Sequence, residues 1–172
     1  MGEFAAPKLD IIRIALIGVG ARGSGHAKQL ASIEGTEIVA IADVYEDLVD
    51  RSVNNCIAVG KGRHQNIARY FGAEGEWRKM LAEVKPDAVG LSALLVSTSK
   101  QMQFFVEHAR KTDVNVPILC GGAAINSNYI NRIAKKDGIY EPGIFYCGTM
   151  FDGLKTMDKL VSEEKNEFVN NW

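Results

Sequence analysis

IIRIALIGVGARGSGHAKQL, residues 11–30, is the stretch on which the fold turns. Ile11 to Ile17 is β-branched and apolar except at Arg13, as a strand in a parallel sheet should be. Gly18, Gly20 and Gly23 follow with the spacing G-x-G-x-x-G, and an amphipathic pattern from Ser24 to Ile33 then predicts a helix. Between a strand and a helix, each glycine has a physical task. Gly18 permits the tight turn, Gly20 lets backbone approach a pyrophosphate, and Gly23 allows the helix to pack closely on the strand. Ala21 and Arg22 lie between them at the helix start, where free N–H groups and the positive dipole end suit phosphate. Twenty residues beyond Gly23, Asp43 closes a second strand, Glu37 to Ala42. A carboxylate there accepts hydrogen bonds from ribose hydroxyls and repels a 2′-phosphate, which favours NAD over NADP.

Working outward, short apolar runs alternate with longer amphipathic ones, the pattern of parallel strands joined by crossover helices. Helices are predicted over 46–59, 76–84, 99–111, 126–136 and 151–165, and strands over 88–95, 116–120 and 143–147. Residues 67–71 form either a short edge strand or a loop. The first choice gives six strands in the order 3-2-1-4-5-6, and the second gives five in the flavodoxin-like order 2-1-3-4-5. Either way the expected architecture is a three-layer, doubly wound parallel α/β sheet, a Rossmann and flavodoxin-like hybrid formed as one domain over 1–172.

Composition narrows the classes of function. Twenty Lys and Arg against 21 Asp and Glu leave a net charge of −1, so the electrostatic footprint of a nucleic-acid binder is missing. The apolar runs are strand-sized, which argues against a membrane span, and Met1 to Phe4 lacks the layout of a secretion signal. A soluble, cytoplasmic location is expected. Cys56, Cys120 and Cys147 form no C-x-x-C pair and read as buried thiols, and no metal-ligand spacing occurs. Ser97, Thr98 and Ser99 lack a G-x-S-x-G elbow and read as the start and cap of a helix at Lys100. His108, beside Glu107 and Arg110, reads as an edge residue, and Asp137, Glu141 and Asp152 read as solvated loop carboxylates.

From about residue 11 to residue 89 the chain carries IRIALIGVGARGSGHAKQL, IVAIADV, RYFGAEGEWRKML and PDAV in that order. It resembles the nucleotide-binding domain of the Gfo/Idh/MocA oxidoreductases, especially the branch of NAD-dependent glycoside hydrolases. The resemblance implies that Gly18, Gly20, Arg22, Gly23 and Asp43 contact the nucleotide. Past Val89 it breaks off: that family carries Thr-Pro and a His after its fourth strand and Glu-Lys-Pro after its fifth. Here Ser92-Ala93-Leu94-Leu95-Val96-Ser97-Thr98 and Gly121-Gly122-Ala123 stand in those places, so the family's catalytic lysine is absent.

The segments VGLSALLVSTSKQMQFFVEHAR, VPILCGGAAIN and GIFYCGTMFDGLKTMDKLV instead resemble the cobalamin-binding domain of methionine synthase. That likeness implies that Ser92, Leu94, Gly121 and Gly122 line a slot for the nucleotide tail of cobalamin. The family's D-x-H-x-x-G is missing, since none of His26, His64 or His108 follows an aspartate by two positions. The expectation from these two losses is an engineered chimera, 1–89 and 90–172, joined near residues 87–90. It would have no evolved catalytic activity and no catalytic residue, with weak NAD binding at most and cobalamin binding weaker still. Its partner would be a small-molecule nucleotide, with the oligomeric state open. The competing expectations are an NAD(P)-binding, oxidoreductase-like module and a cobalamin-binding module of methionine synthase type.

Overall fold

The computed structural model describes residues 11–73, 75–112, 114–136 and 138–171. The residues read above as lacking a secretion signal, Met1 to Phe4, lie outside the described residues, as does Asp137. The protein is α/β. Among the described residues six strands and seven helices alternate, and every strand pairing is parallel. The chain divides into two compact units, Met1–Lys85 and Pro86–Trp172.

In the first unit the order is β1 (Ile12–Ile17), α1 (Ala21–Ser32), β2 (Thr36–Ala42), α2 (Glu46–Val59), β3 (Ala68–Tyr70) and α3 (Glu76–Val84). The sheet order is β1-β2-β3, with Ile12 opposite Thr36 and Ala40 opposite Ala68. β3 is a true strand, so the five-strand flavodoxin-like order, which needed residues 67–71 to be a loop, does not apply. Within this unit the middle position belongs to β2, whose Ile38 and Ile41 are fully buried, while Ile12 and Ile17 of β1 are half exposed. Ala27 and Ala31 of α1 recur at i, i+4 and Val49, Val53 and Cys56 of α2 at i, i+4, i+7, and these rows make the core with β2. Small alanines on α1 let that helix approach the sheet closely.

A buried histidine ties this unit together. His64, in the connection before β3, accepts the Ile38 N–H at Nδ1 (3.1 Å) and donates from Nε2 to the Ala31 carbonyl (2.9 Å). Ile38 offers only a donor and Ala31 only an acceptor, so the neutral ring with its proton on Nε2 satisfies both. Arg63 adds its guanidinium to the Ile33 and Ala31 carbonyls at 2.9 and 3.1 Å, closing the end of α1.

The second unit runs β4 (Val89–Ser92), α4 (Val96–Lys111), β5 (Ile118–Gly121), α5 (Ser127–Lys135), β6 (Ile144–Tyr146), α6 (Met150–Leu160) and α7 (Lys165–Asn170). Its sheet order is β4-β5-β6. Within each unit the strand neighbours, β1-β2-β3 and β4-β5-β6, are those of the six-strand prediction. β4 is shorter than the predicted 88–95 because Ala93 leaves the ladder to serve the turn after β5, donating to the Gly121 carbonyl and accepting from Ala124 N–H. α4 begins at Val96, three residues before the predicted start, because the Thr98 hydroxyl reaches back to accept the Leu95 N–H at 3.1 Å. The helix predicted over 151–165 is two helices, α6 and α7. Asp152, expected to be merely solvated, caps α6: its carboxylate accepts the Thr149 N–H at 2.8 Å, and these Thr149 bonds hold its pKa below the ordinary value. Arg110 of α4 donates to the Ile133, Ala134 and Lys136 carbonyls at the end of α5.

Candidate functional site

The C-terminal ends of the three strands of the first unit are knit into one ledge. Gly18 N–H donates to the Ala42 carbonyl at 2.8 Å, Asp43 N–H to Tyr70 at 3.1 Å, and Gly72 N–H to Val44 at 3.2 Å. Main-chain bonds therefore hold the glycine turn beside the end of β2.

Each glycine of the turn does what its position requires. Gly18 has φ +80°, a left-handed conformation natural to glycine. A Cβ on Gly23 would lie 1.9 Å from the Gly18 carbonyl oxygen, so α1 can start this close to the strand only with hydrogen there. A Cβ on Gly20 would meet nothing within 4 Å. Packing within the fold therefore does not require glycine at this position. Gly20 is also the N-cap of α1 and supplies no side-chain cap, and the first turn holds no acidic residue. Ala21 and Arg22 are both exposed there. By contrast α2 carries Glu46 and Asp47 in its first turn. The N–H groups opening α1 are the ones left for an anion.

Asp43 bridges the ledge. Its Oδ2 accepts the Val19 N–H at 2.7 Å and its Oδ1 accepts the Tyr45 N–H at 3.2 Å. Each carboxylate oxygen retains a further lone pair for a second donor. Asp43 directly follows β2, as the sequence predicts, whereas its two main-chain donors, Val19 and Tyr45, were not foreseen. Val19 is an unconstrained position of the motif and acts through its main chain, so no side-chain signal could have marked it. Tyr45 had a signal, an aromatic residue immediately beyond the acidic position.

The candidate residues of the second half lie in the second unit. Ser92 ends β4 opposite Gly121 at the end of β5, and Leu94 follows in the turn, half exposed. Gly122 has φ +113°, and a Cβ there would lie 2.2 Å from the Ala93 carbonyl oxygen. A Cβ on Gly121 would be 3.1 Å from the Cys147 carbonyl oxygen. Contact with neighbouring main chain within the fold therefore accounts for this glycine pair, and the space expected to admit a cobalamin tail is filled by backbone of Ala93.

Among the described residues no group of His, Cys, Asp or Glu is arranged to hold a metal, and no helix is long and apolar enough to cross a membrane. Burial raises the Cys120 thiol to about 12 and pushes the Cys56 and Cys147 thiols up as well, so none is poised as a nucleophile. His108 is half-buried on α4, and Glu141 is exposed.

No protein-family model matches the chain. Among curated proteins it is similar to glycosyl hydrolase family 109 protein 1 of Akkermansia muciniphila, 47% identical over 89 residues, 52% of this chain and 18% of that one. Glycosyl hydrolase family 109 protein 2 of the same organism is 39% identical over 119 residues, 69% of this chain and 24% of the relative. An alpha-N-acetylgalactosaminidase of Shewanella oneidensis is 36% identical over 87 residues, 51% of this chain and 18% of its own length. The chain thus spans about a fifth to a quarter of the length of the curated relatives it matches.

These findings overturn the reading of an engineered chimera without activity. A match of 119 residues within a chain of 172 includes residues 54–119 wherever it begins. Similarity to one family therefore runs straight through residues 87–90, where a junction between two parents was expected. The expectation that the protein is no enzyme falls too, because the relatives bear the names of hydrolases. The methionine synthase resemblance and its cobalamin find no support in these relatives.

Proposed function

We propose that this chain is the nucleotide-binding portion of an enzyme of the glycosyl hydrolase family 109 type, holding NAD on the ledge formed by Gly18 to Gly23 and Asp43. The observation that carries this reading is the bond from Val19 N–H to Asp43 Oδ2 at 2.7 Å, which ties the carboxylate to the residue that precedes Gly20 in the glycine turn. Geometry supports the dinucleotide reading beside the spacing, since among the three glycines of the motif the one that packing and φ leave unexplained, Gly20, is the one a pyrophosphate needs.

In this reading the N–H groups of Ala21 and Arg22 at the α1 N-terminus receive the pyrophosphate, and Gly20 allows it to lie against main chain. The free lone pairs of Asp43 accept the hydroxyls of the adenosine ribose. The same carboxylate opposes a 2′-phosphate by like charge, which favours NAD over NADP. When bound, the nicotinamide supplies a reversible acceptor for hydride. This chain's residues bind and orient; the resemblance's catalytic lysine has Gly121-Gly122-Ala123 in its place, so proton transfer at the sugar belongs to other groups of the enzyme. The name of the Shewanella relative, an alpha-N-acetylgalactosaminidase, supports an α-linked N-acetylgalactosaminide as the substrate class.

Isothermal titration of the folded chain with NAD and NADP tests the binding, and release of nitrophenol from an aryl α-N-acetylgalactosaminide, with and without added NAD, tests the activity. Saturable NAD heat, weaker with NADP, is expected. Absence of any NAD heat at millimolar ligand overturns the reading.

A further inference from the structure

We propose that α6 is a self-association face, through which two copies of the chain dock antiparallel about a two-fold axis at the level of Thr156. The proposal is independent of the nucleotide reading. α6 has two sides with different partners. Leu160 is buried and the Thr156 hydroxyl reaches the Cys147 thiol, so one side packs inward. Met150, Phe151, Leu154 and Val161 point away from it and are between 42% and 73% exposed. With about 100° between successive residues, these four fall in one arc about 100° wide, the width of a stripe that ordinarily faces a core. Single apolar side chains scattered on a surface need no explanation, but a contiguous stripe does.

The spacing of the stripe suits a partner helix. Phe151, Leu154, Asp158 and Val161 recur at intervals of three, four and three, the seam of a heptad. In an antiparallel pair with its axis at the level of Thr156, Phe151 of one copy lies level with Val161 of the other, and Leu154 level with Asp158. The positive end of each helix then lies beside the negative end of its neighbour.

Charge selects the occupant. Asp158 stands within the apolar arc and Lys155 at its edge; both are exposed, and among the described residues neither takes part in an ion pair. A carboxylate inside the stripe opposes an anionic lipid surface, and a wholly apolar partner would bury it unpaired. A second copy supplies the cation at the right height. Lys155 of each copy is one residue, about 1.5 Å, from level with Asp158 of the other, so the pairing forms two identical bridges. A polar residue in such a seam fixes register and orientation. α6 has 11 residues, so the contact is small and the association weak and reversible.

Sedimentation velocity of the full chain, over concentrations rising to the millimolar range, tests this beside Lys155→Glu, Asp158→Lys and Phe151→Ala, with circular dichroism checking each fold. The parent is expected to shift from one chain to two as concentration rises. Phe151→Ala and either charge reversal are each expected to weaken association about tenfold or more, since the first removes an aromatic anchor from both copies and a reversal sets like charges together at both bridges. An equimolar mixture of Lys155→Glu with Asp158→Lys is expected to regain the parent's association, because each bridge of the mixed pair again joins opposite charges. The proposal is overturned by a parent that stays a single chain throughout, by single reversals that associate as the parent does, or by a mixture that associates no better than either variant alone. Cosedimentation of a single-chain parent with phosphatidylserine vesicles would assign the stripe to a lipid surface instead.

Discussion

Val19 and Asp43, 24 residues apart in the chain, are joined by a 2.7 Å hydrogen bond from the Val19 N–H to the Asp43 carboxylate. The acidic residue is thus part of the glycine turn's own architecture. Asp43→Ala is expected to lower stability by about 1.5–3 kcal/mol, the scale of a hydrogen bond to a charged group, and to weaken pyrophosphate binding as well as NAD. Chemical denaturation and calorimetric titration with both ligands check this. A variant that loses NAD affinity at unchanged stability would show that the Val19 bond contributes nothing to the turn.

Gly20 and Gly23 separate ligand from fold. Gly20→Val places its side chain where nothing lies within 4 Å. It is therefore expected to melt with the parent yet bind no NAD. Gly23→Ala must displace the Gly18 carbonyl oxygen, only 1.9 Å from the new Cβ. It is expected to cost about 2 kcal/mol or more, as overpacking of a rigid neighbour does. Paired thermal melts and titrations distinguish the two.

His64 is the buried link between the end of α1 and β2, with one bond to Ala31 and one to Ile38. His64→Ala leaves a buried donor and a buried acceptor unpaired and opens a cavity, a loss expected at about 3 kcal/mol. Urea denaturation measures it. Gly60→Ala should act through the same ring, because its Cβ would lie 2.3 Å from His64 Cδ2.

Tyr70 sets an alkaline limit. Its hydroxyl donates to Glu83 Oε2 at 2.5 Å, and this bond, with burial and the Glu83 charge, raises the phenol from 10.0 to about 12. The folded state holds this proton more tightly than the unfolded chain does, so the contribution is complete below pH 10 and is lost as pH rises from 10 to about 12. Urea midpoints of the parent are expected to fall across that window, and less so in Tyr70→Phe. Ultraviolet titration of Glu83→Gln should show one tyrosinate forming earlier than in the parent.

Much of the fold was legible because its signals are local. The apolar run at 12–17, the alternation of strands and helices, and the acidic residue closing β2 all depend on near neighbours. Element ends were less so. Thr98 moved the start of α4 to Val96, and Ala93 shortened β4 by accepting the Ala124 N–H in the turn after β5, a partner 31 positions along the chain. The second half misled for a related reason: a Gly-Gly pair looks the same whether it opens a slot or permits close backbone packing.

By itself the sequence determined that residues 18–20 turn the chain from β1 into α1 and that Asp43 directly follows β2, since strand, turn and helix start are set by residues a few positions apart. Tertiary structure alone decided what each glycine is for. Gly20 faces open space, whereas Gly23 is pressed against Gly18 and Gly122 against Ala93. The residue type is the same in all three cases, and the difference lies in which backbone packs opposite. Only the folded chain brings those partners within contact distance, as it does Val19 with Asp43 and His64 with Ala31.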